Sequence, residues 1–281
     1  TYYVLNIYLY IIHMYFTGLS FLLLCTCTYA YDELLSKYMV DLAQATYTVS
    51  SVNDWSCLTC NNEIDLEYIV EKNSNLALQG FDKRTNTIFT SFRGSTNIHN
   101  WAENIQISKV SPYNDTNISV EKGFYKAYMN VKDDIIDNLY DLSKKYNTHN
   151  LLITGHSLGA AMSTIMAYDI ASLYPEYKIQ YFYNYGSPRI GNTAFVNSFN
   201  SYHIKNYRVT HYYDMVPHVP EEFVGYLHIS NEIWYNENNS DYIICNDVQS
   251  EDGTCSNSCA PIHCTSINDH LYYLNVTMGS D

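Results

Sequence analysis

The fold class this sequence predicts is α/β, a central and mostly parallel sheet with helices on both faces. Three observations predict it. Apolar or β-branched runs alternate with stretches of helical spacing between residues 76 and 213, the order that a parallel sheet with crossover helices requires. The chain has 281 residues, 47% hydrophobic and 16% charged, enough to bury a large core and far from the disordered class. With 11 Gly and 6 Pro, no Gly/Ser/Pro-rich stretch offers a linker, so one domain is expected over residues 31–281.

Each element follows from its pattern. Residues 31–48 place Leu34, Leu35, Tyr38, Met39, Leu42 and Ala45 on one helical face. Residues 76–81 and 87–92 are apolar runs joined by the charged connection Asp82-Lys83-Arg84-Thr85-Asn86, which reads as a hairpin. Residues 121–145 form a long amphipathic helix through Phe124, Ala127, Tyr128, Val131, Ile135, Leu139 and Leu142. A short buried strand at 151–154 runs through Gly155 into an Ala- and Met-rich helix at 158–173. Two further strands, 179–185 and 207–213, flank a helix at 193–202. The 30 Tyr are read as compositional bias without site information.

Residues 1–30 contain no Asp, Glu, Lys or Arg, and 11–25 are mostly apolar. They read as a secretory signal, with Thr28 and Ala30 as the small residues before a cut near Tyr31. An uncleaved membrane anchor is the alternative, because the run approaches bilayer-spanning length. Cys25 and Cys27 would leave with the signal. The remaining six, Cys57, Cys60, Cys245, Cys255, Cys259 and Cys264, suggest disulfides in a secreted chain. Proximity favours Cys57 with Cys60 and Cys245 with Cys255. Zinc held by Cys57 and Cys60 with the cluster Cys255, Cys259, His263 and Cys264 is the rival. Acceptor triplets at Asn114, Asn117, Asn238 and Asn275 agree with secretion.

Fifteen Lys and Arg against 29 Asp and Glu leave a formal charge of −14, which excludes nucleic-acid binding through a basic surface. The chemistry lies in Gly155-His156-Ser157-Leu158-Gly159, at a strand-to-helix turn where a nucleophile elbow is expected. The turn forces strained dihedrals on Ser157, and side chains at 155 and 159 would collide with their neighbours. A serine hydroxyl needs a general base, and the base an anion to hold its tautomer. The chain order Ser, acid, His then points to Asp214 and His270. Asp241, Asp247, Asp252 and Asp269 are later acids in polar, loop-like sequence. His218, His228 and His263 are the rival bases. His270 is expected on a flexible loop, and His156 to point away from the nucleophile as a packing residue of the elbow. Oxyanion donors are expected from the Leu158 backbone N–H and from Ser95, in Phe92-Arg93-Gly94-Ser95, whose alternative role is a helix N-cap. Residues 96–107 carry Ile98, Trp101, Ala102 and Ile105 at helical spacing, which suits a mobile lid or an ordinary packed helix.

Phe92-Arg93-Gly94-Ser95 with Asn100-Trp101, the elbow with Ala160-Ala161, Gly186-Ser187-Pro188-Arg189-Ile190-Gly191, Asp214-Met215-Val216-Pro217-His218 and Asp269-His270-Leu271 together resemble the class 3 lipases, the fungal-type triacylglycerol lipase family. The likeness runs in order from about residue 31 to 276. It implies an α/β-hydrolase fold, a Ser157–Asp214–His270 triad, Ser95 and Leu158 at the oxyanion hole and a lid carrying Ile98, Trp101 and Ile105. The chain departs from the family in Cys259 and Cys264, read as a further local bridge, and in Ala160. The expected activity is a secreted, cofactor-free, metal-free serine hydrolase of neutral-lipid esters, monomeric and acting peripherally at a lipid–water interface. Phospholipase A1, galactolipase and feruloyl esterase activities on the same triad, and an inactive lipid-binding homologue, are the alternatives.

Overall fold

The computed structural model describes residues 31–51, 53–98, 107–246, 251–260 and 262–279. The expected signal segment, and Trp101 and Ile105 of the expected lid, lie outside them. The first amphipathic stretch forms α1 (Glu33–Thr48), opened by Asp32, whose carboxylate accepts from the Leu35 N–H at 3.0 Å. The hairpin is part of a three-strand meander, β1 (Ile64–Lys72), β2 (Asn75–Asp82) and β3 (Thr87–Phe92). A two-residue pair, β4 (Lys109–Val110) and β5 (Val120–Glu121), precedes α2 (Lys122–Tyr146). That helix begins on the Glu121 carboxylate, which accepts from the Phe124 N–H, and ends on Asn147 in the left-handed region.

There follow β6 (Asn150–His156), α3 (Leu158–Leu173), β7 (Lys178–Tyr185), α4 (Thr193–Ser201) and β8 (Asn206–His211). β9 (Glu232–Tyr235) and β10 (Tyr242–Ile244) close the main sheet. A helical turn α5 (Ile267–His270) and the small pair β11 (Tyr272–Tyr273) and β12 (Val276–Thr277) come last. The eight-stranded sheet has the order β1-β2-β3-β6-β7-β8-β9-β10. Pairing is parallel from β3 through β9 and antiparallel at both ends.

The two faces are covered separately, as strand alternation requires. Leu151 and Ile153 of β6 face the core shared with Tyr128, Val131 and Ile135 of α2 and Ile165 and Met166 of α3. Thr154 points the other way and donates to the Met39 carbonyl of α1, and Ser91 of β3 donates to Leu42. The far end of the chain returns to α1, where the Gln44 amide both donates to the Gly279 carbonyl and accepts from its N–H. Asp32–Asp281 form one compact unit. No helix among the described residues is long and apolar enough to cross a membrane.

Two differences from the sequence reading have physical causes, and the disulfides follow the expected pairings. β1 was not expected, because Asp65, Glu67 and Glu71 interrupt its apolar run at the sheet edge. The strand expected through residue 213 stops at His211, because Tyr212 turns to a positive φ of 35°. The six cysteines form Cys57–Cys60, Cys245–Cys255 and Cys259–Cys264 disulfides, so none offers the thiolate that the zinc alternative needs.

Candidate active site

β6 enters the site and α3 leaves it through one strained residue. Ser157 has φ 60° and ψ −126°, a conformation that costs on the order of 1–3 kcal/mol in a non-glycine residue. The glycines on either side explain how the turn closes. A Cβ at Gly155 would lie 2.4 Å from the Gly159 carbonyl oxygen, and one at Gly159 only 2.2 Å from the Phe92 carbonyl oxygen. The Ser157 N–H donates to the Tyr185 carbonyl of β7, anchoring the elbow to the neighbouring strand. Leu158 opens α3, so no earlier turn of the helix provides a carbonyl for its N–H.

Asp214 and His270, 56 residues apart in sequence, are brought into direct contact. Both are buried, and the His270 Nδ1 lies 3.0 and 2.9 Å from the two Asp214 oxygens. Their segments are joined by backbone bonds, Ser266 N–H to the Tyr213 carbonyl and Met215 N–H to the Ser266 carbonyl. Asp214 also accepts from the Val216 N–H at 2.8 Å and from the Tyr273 hydroxyl, so its buried charge is well supplied with donors. Burial and the Asp214 carboxylate hold the Tyr273 hydroxyl well above the usual phenol range. A carboxylate can only accept, which fixes the proton on His270 Nδ1 and leaves the Nε2 lone pair available. His270 Nε2 and Ser157 Oγ are both buried without a hydrogen-bond partner among the described residues. They lie over the same strand end: a Cβ at Gly186, next to Tyr185, would be 2.9 Å from the His270 ring.

Two expectations are corrected. His270 sits not on a flexible loop but on α5, a turn capped by Ser266, whose hydroxyl accepts from the Asp269 N–H at 3.0 Å. His156 does more than pack in the elbow: its ring lies 4.5 Å from that of His270, its Nε2 is 2.8 Å from the His270 carbonyl, and its Nδ1 is 2.8 Å from the Tyr47 hydroxyl. Nor is tyrosine uninformative, since Tyr273 and Tyr47 both bond to groups of the site. Neither has a local motif to mark it.

The remaining candidates have other partners. Ser95 is half-buried and its hydroxyl accepts from the Asn97 N–H at 3.3 Å, a capping contact. Its neighbour Gly94 abuts the nucleophile, where a Cβ would meet Ser157 Cβ at 2.9 Å. Ile98 is buried. Asp269 accepts from the Tyr213 N–H through its carboxylate and, through its carbonyl, contacts His211, which steadies the turn before His270. His228 is fully buried and donates to the Pro217 carbonyl. His218 is pushed down to about 4, chiefly by burial and then by Arg189. A buried pair, Arg189 with Glu251, clamps the loop that Cys245–Cys255 closes to the Gly186–Gly191 segment.

Residues 89–224 match the family model for class 3 lipases. A lipase of Rhizomucor miehei is 31% identical over 255 residues, 86% of this chain and 68% of its own length. The chain belongs to the class 3 lipase family. This class 3 lipase is thus a carboxylic ester hydrolase on the α/β-hydrolase fold. A secreted mono- and diacylglycerol lipase A of Penicillium cyclopium is 33% identical over 176 residues, 62% of this chain and 56% of its own length. A solved triacylglycerol lipase, described as having a serine-protease triad at its catalytic centre, superposes with a TM-score of 0.81 at 30% identity, covering 89% of this chain and 97% of the other.

Proposed function

We propose that this class 3 lipase hydrolyses acylglycerol esters through an acyl-enzyme, with Ser157 as nucleophile, His270 as general base and Asp214 as its orienting anion. The observation that carries the reading is the buried Asp214–His270 pair, whose Nε2 has no partner among the described residues, over the strand end that also anchors the strained serine. His270 Nε2 takes the Ser157 proton as Oγ attacks the ester carbonyl, and the Asp214 charge stabilises the imidazolium that forms. The same proton then goes to the departing glyceride alkoxide. Water, deprotonated by His270, releases the fatty acid. The Leu158 N–H at the start of α3 and the N–H and hydroxyl of Ser95 are the proposed oxyanion donors, and residues 96–107 the proposed lid. In this reading the Ser95 hydroxyl exchanges its contact with Asn97 for the oxyanion.

A cavity of about 670 Å³ begins at Met215, beside Asp214, and is lined further by Val219, Phe223 and Ala260. Arg189, His218 and Asn257 line it as well, and its apolar side is the proposed place of an acyl chain. Glu221 and Glu222 on its rim, with the net charge of −14, favour uncharged lipid over anionic headgroups. Secretion is supported by the three disulfides, by exposed acceptor asparagines at 114, 117, 238 and 275, and by the secreted Penicillium relative. A panel of triacylglycerol, phosphatidylcholine, galactolipid and feruloyl ester, run with wild type and Ser157→Ala, tests the assignment. Acylglycerol turnover that falls at least about 10⁴-fold in the variant is expected. Equal rates in the two proteins would end the reading, and preferred turnover of phosphatidylcholine, galactolipid or feruloyl ester would move the substrate.

A further inference from the structure

The proposed triad leaves unused a second histidine buried against it. His156 contacts His270 twice, through the ring and through the backbone carbonyl, and it contacts Tyr47 of α1. The His270 carbonyl can only accept, so His156 Nε2 carries a proton and donates to it. Burial first, and then the His270 ring, hold the His156 imidazole well below its usual range, so it is neutral and Nδ1 is an acceptor. The Tyr47 hydroxyl therefore donates to Nδ1. The direction of every bond in the chain Tyr47 to His156 to His270 is thereby determined.

The same hydroxyl lies against the proposed oxyanion segment, since a Cβ at Gly94 would sit 2.2 Å from it and 2.7 Å from the His156 carbonyl oxygen. One phenol thus touches the Phe92–Ser95 loop and the histidine that holds the backbone of the base. We propose that Tyr47 and His156 are positioning residues that hold the α5 turn, and with it His270 Nε2, in register with Ser157 and the Gly94–Ser95 backbone. This inference rests on the function proposed above. Neither residue touches substrate. His156 supplies a hydrogen bond at a fixed height above β6, and Tyr47 fixes the ring plane from which that bond is aimed. A neutral His156 also keeps a second positive charge away from the imidazolium that forms on His270.

The test compares wild type, Tyr47→Phe, His156→Gln, His156→Leu, the Tyr47→Phe/His156→Leu double variant and Ser157→Ala on a soluble short-chain p-nitrophenyl ester. Rates are normalised to active sites counted with a p-nitrophenyl phosphonate, so protein that fails to fold does not enter them. Loss of register is expected to lower kcat about 10- to 100-fold in Tyr47→Phe and His156→Leu, with KM unchanged within about twofold. His156→Gln, whose amide can still donate to the His270 carbonyl, is expected to stay within about threefold of wild type. The double variant should lose clearly less than the product of the two single losses, because Tyr47 acts in part through His156. Wild-type kcat per titrated site in Tyr47→Phe and His156→Leu, or losses that multiply in the double variant, would overturn the relay while Ser157→Ala remains inactive. An active Ser157→Ala would overturn the proposed function and the relay with it.

Discussion

Tyr273 shows how a single hydroxyl can matter to a buried anion. It donates to the Asp214 oxygen that also faces His270, and a hydrogen bond to a charged group is worth about 1.5–3 kcal/mol. Tyr273→Phe is therefore expected to lower kcat/KM by roughly tenfold to a hundredfold, read from initial rates on a soluble ester; an unchanged value would show that Val216 and His270 suffice to hold the carboxylate. At this scale the sequence was half legible. Ser157, Asp214 and His270 stood out because an elbow needs flanking glycines and the acid and base must follow it in order. Tyr47, His156 and Tyr273 did not, because their roles come from contacts across more than a hundred residues or from a fold-back near the C-terminus. Thirty tyrosines give no way to choose two.

Helices and strands were legible where burial is one-sided or complete. α2 announces itself through seven apolar positions on one face, and β6 through an unbroken buried run. β1 and the short β10 lie at the sheet edges, where solvent on one side admits polar residues and removes the signal. The contact between β3 and α3 is the tightest test of an element boundary. Gly159→Ala would drive a methyl into the Phe92 backbone, with an expected cost of about 3 kcal/mol and a fall in Tm of roughly 5–10 °C by thermal unfolding. A fall of less than 1 °C would mean that the helix start can slide. α1 carries its own titration. Burial alone raises Asp41 to about 6, above its ordinary value near 3.8, so the folded state binds the extra proton and stability is lost as pH rises from about 4 through 6. Asp41→Asn should match wild type at pH 4 and gain in Tm over it by pH 8; a constant difference across that range would refute the assignment.

For the molecule as a whole, charge is expected to decide which surfaces it approaches. With −14 overall and Glu221 and Glu222 beside the cavity, hydrolysis at a neutral emulsion is expected to slow when anionic lipid is added and to recover with salt. Faster turnover on the anionic surface would reverse that conclusion. Global architecture was the most legible level, because alternating strands and helices admit few topologies. The way the chain closes on itself was not, since nothing in residues 276–279 announces a docking site. Gly279 nonetheless meets Gln44 through both its N–H and its carbonyl, one helical turn from Tyr47. Protein engineers adding a purification handle thus have a practical boundary. A fusion junction cut back to Thr277 would remove both hydrogen bonds between Gln44 and Gly279, whereas a spacer attached after Gly279 keeps them.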